Sequence, residues 1–181
     1  MNLFEGELVR LTQIERKSLP AFRRWFRDYE VQRFLAMPTV PITDEAEDAW
    51  YERMAQARDQ YIFSICTLAD DTLIGNCGLF DLDHKNRSAE FGIVIGEKDC
   101  WGRGFGTDAT RLIVRFAFEE LNLNRVALRV YDFNGRAIRA YEKAGFVHEG
   151  RQRAALFREG AYHDVLMMSV LREEWAASQR K

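Results

Sequence analysis

Three glycines fall within five positions in the run Trp101-Gly102-Arg103-Gly104-Phe105-Gly106-Thr107. The run follows a strand-like segment and opens a helix-like one. Glycine permits backbone angles and close approaches that other residues forbid. The N–H groups at a helix start point outward, which suits a phosphate or pyrophosphate. Arg103 adds a mobile positive charge. A plain tight turn would also use these glycines. A dinucleotide-binding turn needs G-x-G-x-x-G inside an early βαβ unit, whereas this run reads G-x-G-x-G after several strands. A P-loop needs Gly-Lys-Ser/Thr at its end, which is absent. A pyrophosphate cradle of another type is the reading that remains.

A second chemical signal lies at Asn134–Phe146. Tyr141 stands four residues after Ala137 and three after Ile138, so the three share a helix face. A tyrosine in that place is commonly core, and Asn134 alone would be an ordinary helix cap. Glu90 sits on the strand leading into the glycine loop. It is a candidate base, with an exposed strand glutamate as the equal alternative. The three histidines (His84, His148, His163) are far apart, so nothing points to a metal. The three cysteines (Cys66, Cys77, Cys100) lack C-x-x-C spacing and read as free thiols in a reducing compartment.

Several elements must position these groups. Glu7–Thr12 alternates as a strand. Leu19–Leu35 has helical spacing, in two pieces, and Met37–Pro41 breaks it. Thr43 can cap a helix running to about Arg58, with Asp44 and Glu45 favouring its first turn. Tyr61–Leu68, Leu73–Phe80 and Ser88–Ile95 read as an antiparallel meander, with turns at Asp70-Asp71 and Asp81–Arg87. On the last strand Ala89, Phe91, Ile93 and Ile95 share one face. After the loop, Ala109, Leu112, Ile113, Phe116 and Ala117 recur at amphipathic helical spacing. Arg125–Tyr131 is a strand, Asn134–Ala144 a helix stopped by Gly145, and Phe146–Val147 and Tyr162–Leu171 late strands. The fold class is α+β: a mixed, mainly antiparallel sheet flanked by helices on both faces.

The two segments together resemble the GNAT superfamily of acetyl-CoA-dependent N-acetyltransferases. The likeness spans about residues 5–175, so residues 1–181 read as a single domain of this type. The family's loop pattern, Q/R-x-x-G-x-G/A, falls on residues 101–106, with Gly104 and Gly106 matching. Trp101 stands where many members have Gln or Arg. That departure, with Asn134, Ala137, Tyr141-Glu142-Lys143 and Gly145-Phe146, resembles the branch of ribosomal-protein alanine and diamine (spermidine) N-acetyltransferases. Glu149-Gly150-Arg151 through Tyr162-His163-Asp164-Val165 resembles its closing hairpin.

The resemblance implies direct acetyl transfer from acetyl-CoA to a primary amine, with Tyr141 as general acid to the departing thiolate. It implies that backbone groups of Ile93, Val94 and Ile95 meet the pantetheine. Arg103, Gly104, Phe105, Gly106 and Thr107 would hold the pyrophosphate. Asn134 would bond the pantetheine arm or an ordered water near it, Ala137 would lie beside the cofactor, and Lys143 and Arg136 would meet the phosphates or stand as solvated helix charges. Glu90 would be the base, directly or through water. No metal is implied. The acceptor reads as a polyamine or other small-molecule amine, or a protein or peptide N-terminus. Its apolar wall could include Trp25, Phe26, Phe34 and Met37, although core packing explains these residues more simply. The alternatives are an acetyl-CoA-binding sensor without catalysis, an enzyme detoxifying an amine antibiotic and, outside the family, a NAD-dependent oxidoreductase. The family is often dimeric, which leaves a homodimer open.

Composition is that of an ordinary folded domain and argues against disorder. Hydrophobic residues make up 47% and charged residues 30%, and the net charge is −2. Residues 28–100 carry 15 acids against 6 bases, and residues 101–181 carry 14 bases against 10 acids. That asymmetry is either a patchwork of solvated faces or the mark of a cationic ligand near the middle and an anionic one on the C-terminal half. No dense basic stripe favours nucleic acid, and no apolar run suits a membrane span. Met1–Arg10 lacks the long apolar stretch of a secretory signal, so a cytoplasmic location is expected.

Overall fold

A computed structural model describes residues 2–36, 40, 43–57 and 59–179. Seven strands form one sheet in the order β1-β2-β3-β4-β5-β7-β6. They are β1 (Val9–Gln13), β2 (Tyr61–Thr67), β3 (Leu73–Asp83), β4 (Ser88–Ile95), β5 (Arg125–Tyr131), β6 (Val147–Arg158) and β7 (Ala161–Leu171). Every neighbouring pair is antiparallel except β4–β5. That parallel pair needs a crossover, supplied by α4 (Phe105–Glu119). The expected mixed, mainly antiparallel sheet is therefore present.

Helices cover both faces. On one, α4 buries Ala109, Leu112, Ile113, Phe116 and Ala117, the stripe read from the sequence, against the main core. Ile65, Leu79, Phe91, Leu128 and Met168 of the sheet meet it there. On the other, α1 (Leu19–Arg27) and α2 (Tyr29–Gln32) build a smaller core from Leu19, Phe22, Trp25 and Val31. Trp50 of α3 (Asp44–Gln56) joins that cluster. The expected break into two helical pieces falls at Asp28, whose side chain caps α2 through the Glu30 N–H. Thr43 caps α3 through Ala46 N–H at 3.2 Å, a bond of about 1 kcal/mol. The expected break at Met37–Pro41 lies largely outside the described residues. So does Arg58, the expected end of α3.

The chain's end differs from the sequence reading. The strand expected at Phe146–Val147 runs over Val147–Arg158, and Phe146 is instead a buried core residue before it. β6 is mostly exposed, so it lacks the alternation that marks a half-buried strand. Its pairing with β7 creates it. A short helix, α6 (Arg172–Ser178), follows β7. It was not foreseen. α5 (Gly135–Lys143) ends as expected at Gly145, whose φ of +97° few other residues adopt.

Candidate active site

The site begins where the sheet opens. β4 and β5 pair only over Ser88–Glu90 against Arg125–Ala127. Beyond Glu90 the β5-facing edge of β4 has no strand partner, and a cleft of about 660 Å³ fills the gap. Alternation along β4 gives the cleft two sides. Phe91, Ile93 and Ile95 face the main core beneath α4, whereas Val94 faces the α1–α2 core. The opening therefore passes through the sheet from one helical layer to the other.

At one end stands the start of α4. Its N-cap is Gly104 at φ +91°, with no side-chain cap, so the first-turn N–H groups remain available to a ligand. Gly104, Gly106 and Thr107 line the cleft. Arg103 and Phe105 do not. Arg103 is exposed and lies over the Phe105 ring, 5.4 Å from its centroid. Asp108 in the same turn is buried, and its carboxylate accepts from the N–H groups of Glu7, Leu8 and Val9 at 2.8–3.2 Å. The start of α4 is thereby tied to the start of β1. Trp101 donates its indole N–H to the Ile95 carbonyl at 2.7 Å, which fixes the loop to the end of β4.

α5 forms the facing wall. The Asn134 side chain accepts from Ala137 N–H at 3.3 Å, the cap expected from sequence. Its Nδ2 makes no hydrogen bond among the described residues, and both Asn134 and Ala137 line the cleft with Lys143. Tyr141 lines it too, 8% exposed, with its ring edge-on to Phe91 at 6.1 Å and tilted against Phe146 at 6.0 Å. Burial pushes its hydroxyl pKa well above the ordinary tyrosine value, and Arg136 opposes that weakly. Its O–H therefore stays protonated and able to donate.

On the other side of the sheet Glu90 lines the cleft, and both its oxygens are taken by Arg129, at 2.9 Å to Nε and 3.1 Å to Nη2. Arg129 had not been singled out from sequence. It stands two residues beyond Ala127, the residue paired with Glu90, so the strand register alone brings the two together. Leu35 was likewise missed as an anchor. Its carbonyl accepts from Tyr131 Oη at 3.0 Å and from Arg158 at 3.1 Å, holding the turn after α2 against the cleft. Of the apolar wall suggested earlier, Phe34 lines the cleft, Trp25 and Phe26 belong to the α1 core, and Met37 lies outside the described residues. Ile93, Val94 and Ile95 line the cleft on the open edge of β4.

The acids of the central stretch lie mostly elsewhere. Glu47 and Asp48 pair with Arg23, Glu97 with Arg24, and Asp28 and Glu30 with Lys98. These acids are paired with arginines and a lysine that do not line the cleft.

Known proteins are similar to this chain in sequence and in fold. The family described as "Acetyltransferase (GNAT) domain" matches residues 9–147. YdaF of Bacillus subtilis (strain 168), named as a candidate ribosomal N-acetyltransferase, is 41% identical over 60% of this chain and 58% of its own length. The uncharacterized N-acetyltransferase p20 of Bacillus licheniformis is 31% identical over 97% of this chain and 99% of its own. Among solved structures, spermidine N-acetyltransferase from Vibrio cholerae, in complex with CoA and spermine, superposes with a TM-score of 0.86. It is 26% identical, and the match covers 93% of this chain and 98% of that one. The cleft between the splayed strands and these likenesses together show that the chain belongs to the GNAT family of N-acetyltransferases.

Proposed function

We propose that the protein transfers the acetyl group of acetyl-CoA to a primary amine by direct attack. The observation that carries this reading is the cleft through the sheet, with an uncapped helix start at one end and a buried, protonated tyrosine in its wall. Gly104 has no Cβ where a bound pyrophosphate must approach the backbone, and the N–H groups of Phe105, Gly106 and Thr107 would receive it. Arg103 would add charge from the solvent side, and Lys143 and Arg136 from α5. The open edge of β4 at Ile93–Ile95 would pair with the pantetheine amides as an added strand would. Asn134 would donate Nδ2 to that arm.

The cofactor supplies an acetyl thioester. The amine nitrogen forms a bond to the acetyl carbon as the carbon–sulfur bond breaks. Tyr141 donates to the departing sulfur. Because burial raises its pKa, full proton loss is uphill. Its main contribution is then a hydrogen bond to charge that develops on sulfur. The ammonium nitrogen sheds two protons, one to solvent or to Glu90 before attack and one after the bond to carbon forms, which the departing CoA thiolate can take up. For Glu90 to accept the first, the Arg129 pair must loosen.

Acceptors named for relatives are spermidine and ribosomal components. A polyamine and a peptide N-terminus are the acceptors that these relatives' names suggest for this chain. A non-catalytic acetyl-CoA sensor would have no use for Tyr141 within the cleft. Thiol release from acetyl-CoA with a panel of amines tests the proposal. Release above the acceptor-free rate supports it, and CoA binding without release from any amine favours the sensor.

A further inference from the structure

Taking the acetyl-transfer reading as its basis, we infer that the acceptor is a primary monoamine carried on an apolar body, such as an arylalkylamine, and that polyamines are poor acceptors. The chain has 28 Asp and Glu, and all of them lie among the described residues. Only Glu90 among them lines the cleft, and Arg129 chelates both its oxygens.

Acids on elements beside the cleft are committed elsewhere. Asp132 accepts from the Asp164 N–H at 3.2 Å. Asp164 is held by Arg151 and the Ala154 N–H, both at 2.8 Å. Glu159 pairs with Arg33 at 2.8 Å. The other charges lining the cleft are positive: Arg136, Arg139 and Lys143, all on α5. Much of the remaining lining is apolar and aromatic, with Phe34, Leu35, Phe80, Tyr131, Leu156 and Val165 among it.

A polyamine carries several ammonium groups with pKa values near that of lysine. The first could use Glu90, but each further one entering this cleft would lose water and gain no carboxylate, which is costly. A monoamine presents one ammonium, for which Glu90 suffices, and its apolar body covers the aromatic wall. The acceptor half thus differs in chemistry from what a polycation requires, although the fold matches a spermidine acetyltransferase.

The test compares 2-phenylethylamine, spermidine and spermine as acceptors for the full-length protein, by thiol release at one pH. The expected kcat/KM is at least about 10-fold higher for 2-phenylethylamine than for spermidine. In Arg129→Gln, which frees Glu90 and removes a cation, spermidine gains and the ratio narrows. An unchanged ratio overturns the assignment of selectivity to this pair. If wild-type protein uses spermidine or spermine as well as 2-phenylethylamine, the selectivity is wrong while acetyl transfer stands. If CoA raises the melting temperature but no amine releases thiol, both readings fall.

Discussion

The Arg136 guanidinium lies over the Trp101 ring, 3.7 Å from its centroid, and 5.4 Å from the centroid of Phe34. Trp101 belongs to the glycine loop and Arg136 to the first turn of α5, so the contact bridges the two walls of the cleft. Arg136 makes no hydrogen bond or ion pair among the described residues, and burial disfavours its charged form. Its donors are unspent. A bound phosphate would draw the guanidinium off the indole. Arg136→Ala is expected to weaken acetyl-CoA binding about 10–100-fold, the worth of a hydrogen bond to a charged group. In wild-type protein CoA should change tryptophan emission, and in the variant that change should shrink. Equal affinity in both proteins would show that the stack only closes the fold.

Tyr141→Phe removes the donor and leaves the ring contacts with Phe91 and Phe146 in place. The expected result is a fall in kcat of about 10²–10⁴-fold with acetyl-CoA affinity nearly unchanged. The sign of the pH dependence follows from burial. A tyrosine pKa raised above its ordinary value keeps the proton on through neutral and mildly alkaline pH. The wild-type rate should therefore rise with pH as the acceptor amine deprotonates, without a falling limb near pH 10. An unchanged kcat in the variant would remove Tyr141 from the mechanism.

Glu90→Gln keeps the shape of the side chain and removes its charge. If Glu90 takes the amine proton, kcat should fall about 10²-fold while acetyl-CoA affinity holds. If Glu90 only anchors the ammonium, the acceptor KM rises and kcat is spared. Steady-state kinetics with the acceptor varied separates the two.

How much of this was legible in the sequence depended on the range of the signal. The α4 stripe, the Thr43 and Asn134 caps and the Gly145 stop are local, and each appears where spacing placed it. β6 was misread because its pattern is set by β7 across the hairpin and not by its own alternation. The Glu90–Arg129 pair required the parallel register of β4 and β5, which depends on a crossover of some 30 residues. The partners of the acidic stretch were hidden for the same reason, since Arg23 and Arg24 among them lie on α1. Trp101 looked like a departure from a pattern. The fold gives it work at both ends, its N–H on Ile95 and its ring under Arg136.

Gly104 and Gly106 should respond differently to the same added methyl. Gly104 has φ +91°, where a Cβ costs about 1–2 kcal/mol, and that Cβ would stand 3.2 Å from Leu8. At Gly106 a Cβ would meet Ile95 at 3.6 Å, an ordinary contact, with no positive φ. Gly104→Ala should lose stability and bind acetyl-CoA more weakly. Gly106→Ala should match wild type in thermal unfolding. Equal melting temperatures for the two variants would contradict the strained geometry at the head of α4.

Acid stability should report the tie between β5 and β6. Arg125 donates to Glu149 at 2.6 Å through Nη1 and to Ser169 at 3.0 Å. The guanidinium beside Glu149 holds its pKa at about 2, against an ordinary value of 4.5. A carboxylate held below its unfolded pKa stabilises the fold above that unfolded value. The contribution fades as pH falls from about 4.5 and is gone below about 2. Both side chains are about a third exposed, so solvent screening limits it to about 1 kcal/mol or less. Glu149→Gln should therefore melt slightly below wild type at pH 6, and the two curves should converge as pH approaches 2. A gap that persists at low pH would place the stabilisation in packing and not in the ion pair.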